Sequence, residues 1–155
     1  SASYQAMEYY DFKYSDYQFR NRFSLGATGK FKISRFTVSL RERAQLTTKD
    51  ESDRIKASGK IDTYKMNPEW MWRNRVKLDY NIRKSKFTPS FSVETFYQLN
   101  NPDGNQMDKL RYILSVEYKI SKKKSIEVYG LYSKEVNVTS PEKLKVFGLS
   151  YNINF

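Results

Sequence analysis

The feature that most constrains this chain is the regular alternation of apolar and polar residues over long segments. Residues 110–120 show it most clearly. Every second residue there belongs to an apolar set, which comprises Leu110, Tyr112, Leu114, Val116, Tyr118 and Ile120. Successive side chains of a β-strand point to opposite faces, whereas a helix would scatter this set around its circumference. The segment is therefore predicted to be an amphipathic strand.

The same pattern recurs along the chain and predicts eight strands in all. The others comprise residues 4–12, 17–27, 36–46, 70–82, 87–99, 126–136 and 144–155, of which the first alternates least clearly. Their lengths match the roughly 9–11 residues that a tilted strand needs to cross a bilayer, and exceed the soluble average of about 5–6. We therefore expect an all-β fold, an antiparallel up-and-down transmembrane β-barrel of eight strands, with residues 1–155 forming a single domain.

The polar average of the chain is compatible with such a barrel. Its mean hydropathy is −0.79, and it has no run of about 18 apolar residues, so no membrane-spanning helix is predicted. A barrel strand can nevertheless be hydrophilic on average, because its polar side chains face the lumen.

The predicted connections are of two kinds. Residues 29–34, 83–86 and 121–124 form short basic turns, which we expect on the periplasmic side. Residues 100–108 and 137–143 form longer loops with acidic residues, and the longest loop, external and with room for a small hairpin at 55–64, covers about residues 48–69. Short turns at one end and longer loops at the other are typical of outer-membrane barrels.

The last predicted strand carries a further signal. One face of it comprises Phe147, Leu149, Tyr151, Ile153 and Phe155. A chain that ends on an aromatic residue after alternating apolar residues resembles the C-terminal signature of outer-membrane barrels. The resemblance implies that the barrel-assembly machinery binds this strand during insertion and that Phe155 closes the barrel.

Four segments carry a wider resemblance. They read FSVETFY at residues 91–97, RYILSVEY at 111–118, SIEVY at 125–129 and LSYNINF at 149–155. In these the chain resembles a family of small outer-membrane β-barrels of unknown function from Bacteroidetes, strongly over about the last 85 residues and loosely over about the first 65. The resemblance implies a bacterial outer-membrane location, and it supplies no catalytic residue.

Aromatic residues near predicted strand ends suggest which face meets lipid. Tryptophan and tyrosine concentrate at the two interfaces of a membrane, in belts flanking the apolar band. The expected membrane-interface anchors are Trp70, Trp72, Tyr80, Tyr97, Tyr112 and Tyr118. Alternation alone does not decide the direction, because a soluble lipocalin-like ligand-binding barrel has the same period with its apolar face inside. That barrel is one alternative.

The opposite faces of the strands are dense in charge of both signs. The predicted lumen charge network comprises Arg20, Arg22, Arg41, Arg43, Arg73, Arg75, Lys77, Asp79, Glu94, Arg111, Glu117 and Glu127. An eight-stranded barrel is just wide enough for side chains to fill, and buried charges need partners. We therefore expect a plugged lumen, and a structural or accessory interaction subunit. The alternative is a narrow anion channel or transporter.

Composition narrows the chemistry. The chain contains no His and no Cys, so His-based nucleophile pairs and thiolate or imidazole metal sites are excluded. We expect no enzyme, no cofactor and no metal. The net charge of +11 raises the possibility of nucleic acid, but the cations are spread over turns and polar faces and form no single stripe. The expected partners are outer-membrane lipid and other outer-membrane proteins.

Overall fold

The computed structural model describes residues 1–153, so Asn154 and Phe155 lie outside the described part of the chain. Eight antiparallel strands follow one another in sequence order within one sheet. The strands are β1 (Ala2–Asp11), β2 (Asp16–Ile33), β3 (Phe36–Lys49), β4 (Glu69–Tyr80), β5 (Phe87–Gln98), β6 (Met107–Lys119), β7 (Lys124–Glu135) and β8 (Lys143–Ile153). The predicted all-β, up-and-down arrangement of eight strands is confirmed.

Within the described residues, no helix is long and apolar enough to cross a membrane.

Two local predictions need correction. The turn expected at residues 29–34 is shorter, because Phe31 and Ile33 continue the apolar alternation and β2 runs on to Ile33. The chain reverses at Ser34 and Arg35, where Ser34 adopts a left-handed φ of 55°, as tight hairpin turns require. The hairpin expected at 55–64 is reduced to one antiparallel bridge between Ile55 and Ile61.

The described residues group into two compact units. The first unit contains residues 1–27, 43–73 and 97–106. In it β1 pairs with β2 from Ala2 opposite Leu25 to Asp11 opposite Asp16. It also holds the turn at 12–15 and the long connections at 50–68 and 99–106.

The second unit contains residues 28–42, 74–96 and the described residues from Met107 onward. Here β7 pairs antiparallel with β6 on one side and with β8 on the other. The unit also holds the short connections at 34–35, 81–86 and 120–123, which carry most of the basic turn residues, and the connection at 136–142.

The apolar face of the strands is exposed and the polar face is buried, which is the reverse of a water-soluble sheet. Phe147 on β8 is 90% exposed, while Glu94 on β5 is 2% exposed and Gln18 on β2 is 1% exposed. Among the large apolar side chains of residues 1–153, only Met71 and Phe96 are buried. A water-soluble sheet buries its apolar face against a core, whereas here the polar face is the buried one.

Two glycines make room for aromatic rings across the β7–β8 pair. Tyr129 stands opposite Gly148, and a Cβ atom at position 148 would lie 2.3 Å from the Tyr129 ring. Phe147 stands opposite Gly130 on the other face, where an added Cβ would lie 3.5 Å from the ring, an ordinary contact. Gly148 therefore leaves the space that the Tyr129 ring occupies, and Gly130 tolerates a methyl group.

We expect Gly148→Ala to destabilise the fold by about 1–3 kcal/mol, because overpacking forces the Tyr129 ring out of its place. The measurement is the free energy of unfolding in urea. Gly130→Ala is the matched control and should change it by less than about 0.5 kcal/mol. In a Tyr129→Ala background the cost of Gly148→Ala should vanish. An unchanged cost in that background would contradict the assignment.

Candidate functional site

The most buried charge of the polar face is the carboxylate of Glu94 on β5. Arg41 on β3 donates from Nη2 to Glu94 Oε1 at 2.6 Å, and Arg111 Nη1 on β6 lies 3.5 Å from Oε2. The Arg111 guanidinium also lies 4.8 Å from the centre of the Phe96 ring. A buried carboxylate is stable only when partners neutralise it, and two guanidinium groups do so here.

A second network of side-chain hydrogen bonds joins β5, β6 and β7. The Ser90 and Ser115 hydroxyl oxygens are 2.7 Å apart, and Ser115 donates to Glu127 Oε1 at 2.6 Å. On β4, Lys77 Nζ lies 2.9 Å from Asp79 Oδ1. Asp79 and Glu127 thus each have a partner.

A cavity of about 340 Å³ opens on this polar face of the second unit. Its charged lining consists of Arg75, Lys77 and Glu127. Its other lining residues are Ser92, Ile113, Ser115, Tyr129, Leu131 and Ser150. Such a lining could bind a small polar anion.

In the first unit, arginines of the polar face are linked through neutral side chains. Arg73 donates to Gln45 Oε1 at 3.0 Å, and the Gln45 amide lies 3.5 Å from Thr47 Oγ1. Arg22 donates to the same Thr47 hydroxyl at 3.3 Å. Arg20 instead places its guanidinium 4.0 Å from the centre of the Tyr9 ring. Hydrogen bonds and a cation–π contact thus orient these cations.

The twelve predicted network residues are all withdrawn from the exposed face. Glu94 is buried and the others are half-buried. The structure joins Arg41 and Arg111 to Glu94 and pairs Lys77 with Asp79. Glu117 and Glu127, predicted to help neutralise the cations, stand directly opposite each other on β6 and β7. Like charges in that position repel, so the hydrogen bond from Ser115 to Glu127 helps to offset a local excess of negative charge.

The sequence interpretation missed a cluster around Arg54, in the connection 50–68. This side chain is buried, with Nε 3.0 Å from Asp11 Oδ2 and Nη1 donating to the Asp62 carbonyl at 2.5 Å. Its guanidinium lies 3.8 Å from the centre of the Tyr64 ring and 5.0 Å from that of Tyr14. The long connection is therefore attached to the end of β1 and the turn that follows it. No sequence periodicity predicts these contacts, because they join irregular segments.

Asp62 is the second centre of this loop cluster. Its carboxylate accepts hydrogen bonds from Lys13 at 2.7 Å and Tyr14 at 2.6 Å, and lies 3.0 Å from Lys56 Nζ. Hydrogen bonds from Lys13, Tyr14 and Lys56 hold the pKa of Asp62 far below its ordinary value of 3.8. The same contact with Asp62 raises the pKa of Lys13 above 10.5. The cluster therefore stays charged over the whole neutral range.

The other loop carboxylates serve the loop itself. Asp50 accepts from the Ser52 amide at 3.0 Å, and Glu51 accepts from the Tyr64 amide at 2.7 Å. Within residues 1–153, no three His, Cys, Asp or Glu side chains are grouped closely enough to hold a metal ion.

The expected interface anchors lie on the exposed face or at its margin. In the second unit, Tyr80 packs against Phe36 and Tyr118 against Phe87, each with ring centres 4.9 Å apart. Tyr112 stacks with Tyr132 at 6.4 Å. In the first unit the exposed anchors are Trp70, Trp72 and Tyr97. Aromatic pairs therefore occur beside the basic turns, and another occurs toward the opposite end of β6.

The C-terminal signature is only partly within the described residues. Phe147, Leu149, Tyr151 and Ile153 are all exposed on one side of β8. Phe155, on which the predicted closure depends, lies outside the described residues.

We expect Glu94→Gln to destabilise the protein by about 3–5 kcal/mol, because it leaves two half-buried guanidinium groups without their anion. Unfolding in urea measures the loss. The matched control is Glu135→Gln, which removes an ion pair of 3.7 Å with Lys109 and should cost less than about 1 kcal/mol. Equal costs for the two variants would show that Glu94 does not organise the polar face.

We expect Asp62→Asn to expose the connection 50–68 to trypsin at Lys56 and Lys60, whereas Asp53→Asn on the same loop should not. Because the folded pKa of Asp62 is lowered, its contribution is complete above 3.8 and is lost only as the pH falls from there toward the lowered value. The pepsin cleavage rate of the wild-type loop, divided by the rate for Asp62→Asn at the same pH, should therefore rise toward one as the pH falls through this range, and the division cancels the pH dependence of pepsin itself. A ratio that does not change with pH would contradict the role of Asp62.

Comparison with known proteins identifies the family of this chain. A family model described as a protein of unknown function (DUF2490) matches residues 2–142, and the chain belongs to this family. The expected membership of a family of unknown function is confirmed. The match includes the early strands, where the resemblance is loose, and stops before β8. No curated protein and no solved structure matches the chain.

Proposed function

We propose that this DUF2490 chain is a small β-barrel of the bacterial outer membrane, of the kind found in Bacteroidetes, and that it acts as a structural or accessory subunit. The observation that carries the proposal is the reversed exposure of the two faces, with apolar side chains outside and polar side chains buried. Contiguous exposed apolar surface of this extent is unfavourable in water and favourable in lipid. A soluble lipocalin-like barrel would present its polar face to water, so this observation favours the membrane.

Strand length supports the same conclusion. β6 has 13 residues, which at about 3.4 Å per residue extend over roughly 44 Å. At the tilt of about 45° that is typical of membrane barrels, this length projects to roughly 30 Å, the thickness of the hydrocarbon core. The exposed aromatic rings near the strand ends would then lie at the interfaces.

The polar face supports a plugged lumen. The interior of an eight-stranded barrel has room for little more than side chains. Glu94 binds Arg41 and Arg111, and Glu127 accepts a hydrogen bond from Ser115. These contacts support a structural role for the polar face.

The accessory role rests on the loop cluster. The contacts of Arg54 and Asp62 give the connection 50–68 one defined shape, and Lys65 pairs with Asp103 of the connection 99–106. A preorganised loop surface binds partners at a lower entropic cost than a disordered one. We propose that it faces outward and binds other outer-membrane proteins. The barrel-assembly machinery is the proposed partner during insertion.

The alternative function is a narrow anion channel or transporter, which is favoured by the cavity lined by Arg75 and Lys77. Conductance across planar bilayers, with Arg73→Ala and Arg111→Ala compared with wild type, separates it from the plugged structural barrel.

We expect Val128→Arg to decide between lipid and water at the exposed face. Val128 lies near the middle of β7 and is 57% exposed. At the centre of a bilayer the arginine should cost about 2–4 kcal/mol, whereas on a surface in water it should cost less than about 0.5 kcal/mol. The measurements are the free energy of unfolding from lipid vesicles and the yield in the outer-membrane fraction.

The matched control for Val128→Arg is Ser121→Arg, which places the same side chain in the basic turn 120–123 and should cost less than about 1 kcal/mol. Equal costs for the two variants, or a wild-type chain recovered in the soluble fraction, would refute the membrane proposal.

A further inference from the structure

Three lysines form an exposed cluster on the apolar side of β7 and β8, next to the connection 136–142. Lys134 stands opposite Lys143, and Lys145 stands opposite Tyr132. All three are exposed, and Lys145 lies on the same face of β8 as the outward-facing Phe147 and Leu149. We call Lys134, Lys143 and Lys145 the lysine cluster. It lies on the face that we assign to lipid, at the end away from the basic turns.

The lysine cluster has no counter-ion of its own. Within residues 1–153 none of the three ammonium groups forms an ion pair. Of the two acids nearest along the chain, Glu135 is engaged elsewhere, since its Oε1 lies 3.7 Å from Lys109 Nζ and its Oε2 accepts from the Glu142 amide at 3.0 Å. The carboxylate of Glu142, which precedes Lys143, forms no ion pair with any of the three lysines. Three adjacent cations repel one another, and an external anion relieves that repulsion.

An apolar groove begins at the lysine cluster and continues along the same face. Lys145 and Tyr132 line one end of it, and its volume is about 350 Å³. The remaining lining residues are Phe91, Tyr112, Leu114, Gly130, Leu131 and Phe147. Gly130 has no side chain to fill the space beside the Phe147 ring, which an added Cβ would approach to 3.5 Å. A row of cations above an apolar groove matches an amphiphile with an anionic head and an acyl chain.

We infer that the lysine cluster and the groove bind one phosphorylated acyl glycolipid of the lipid A class, from the outward leaflet. Lysine ammonium groups bind phosphate as point charges, and basic residues at a membrane surface hold anionic lipid heads. The stacked rings of Tyr112 and Tyr132 lie between head and chain, at the level where an interfacial aromatic pair is expected. The choice of leaflet rests on the proposed function, in which the longer loops face outward.

The test measures binding of purified lipid A to the chain in detergent micelles. Each lysine contributes about fivefold to affinity, since about 1 kcal/mol per basic residue is typical at a membrane surface. The variant K134Q/K143Q/K145Q should therefore bind about a hundredfold more weakly, and Lys145→Gln alone about fivefold more weakly. Dephosphorylated lipid A and phosphatidylglycerol should both bind wild type more weakly than lipid A does.

The matched control is K122Q/K123Q/K124Q, which removes three charges from a basic turn at the other end and should leave lipid A binding unchanged. The inference is overturned if wild type does not bind lipid A, if phosphate removal has no effect, if phosphatidylglycerol binds as tightly, or if the control loses as much affinity as the cluster variant. The single variant Lys145→Gln keeps the test decisive should the triple variant not fold. Recovery of wild type in the outer-membrane fraction is scored separately, so failure of the proposed function is distinguished from failure of this site.

Discussion

The constraint on which the rest of this structure depends is that its polar face is the buried one. Charged side chains on that face lose water and must find partners among themselves. Glu94 meets this requirement through Arg41 and Arg111, while Arg73 and Arg22 meet it through Gln45 and Thr47. The specific order of the polar face therefore comes from hydrogen bonds and ion pairs, and apolar packing contributes little to it.

The same constraint explains the small residues on that face. Serines at positions 90, 92, 115 and 133 are buried, and the Ser90 and Ser115 hydroxyl oxygens lie 2.7 Å apart. Gly148 leaves room for the ring of Tyr129. Small residues beside large ones are also how small β-barrels fill their interior.

Much of the fold was predictable because a period of two residues is a local property of the chain. The residues 110–120 and 87–99 predict β6 and β5 to within a few residues, and even the weak alternation at 4–12 marks β1. Partners were not predictable to the same degree. The alternation puts Glu117 and Glu127 on the polar face, but only the strand register shows that they stand opposite each other. The Arg54 cluster joins irregular segments, and its contacts depend on loop geometry that no pattern encodes.

The Arg54 cluster has a consequence for how such a chain can change over evolutionary time. Asp11 and Asp62 bind one guanidinium group, and Tyr14 and Tyr64 lie beside it. Loss of the arginine would remove the cation that Asp11 and Asp62 share, and loss of either carboxylate would leave that cation with one acid fewer. Substitutions at these positions, which are far apart in the sequence, are therefore expected to occur together. The turn 12–15 and the connection 50–68 would then change as one unit.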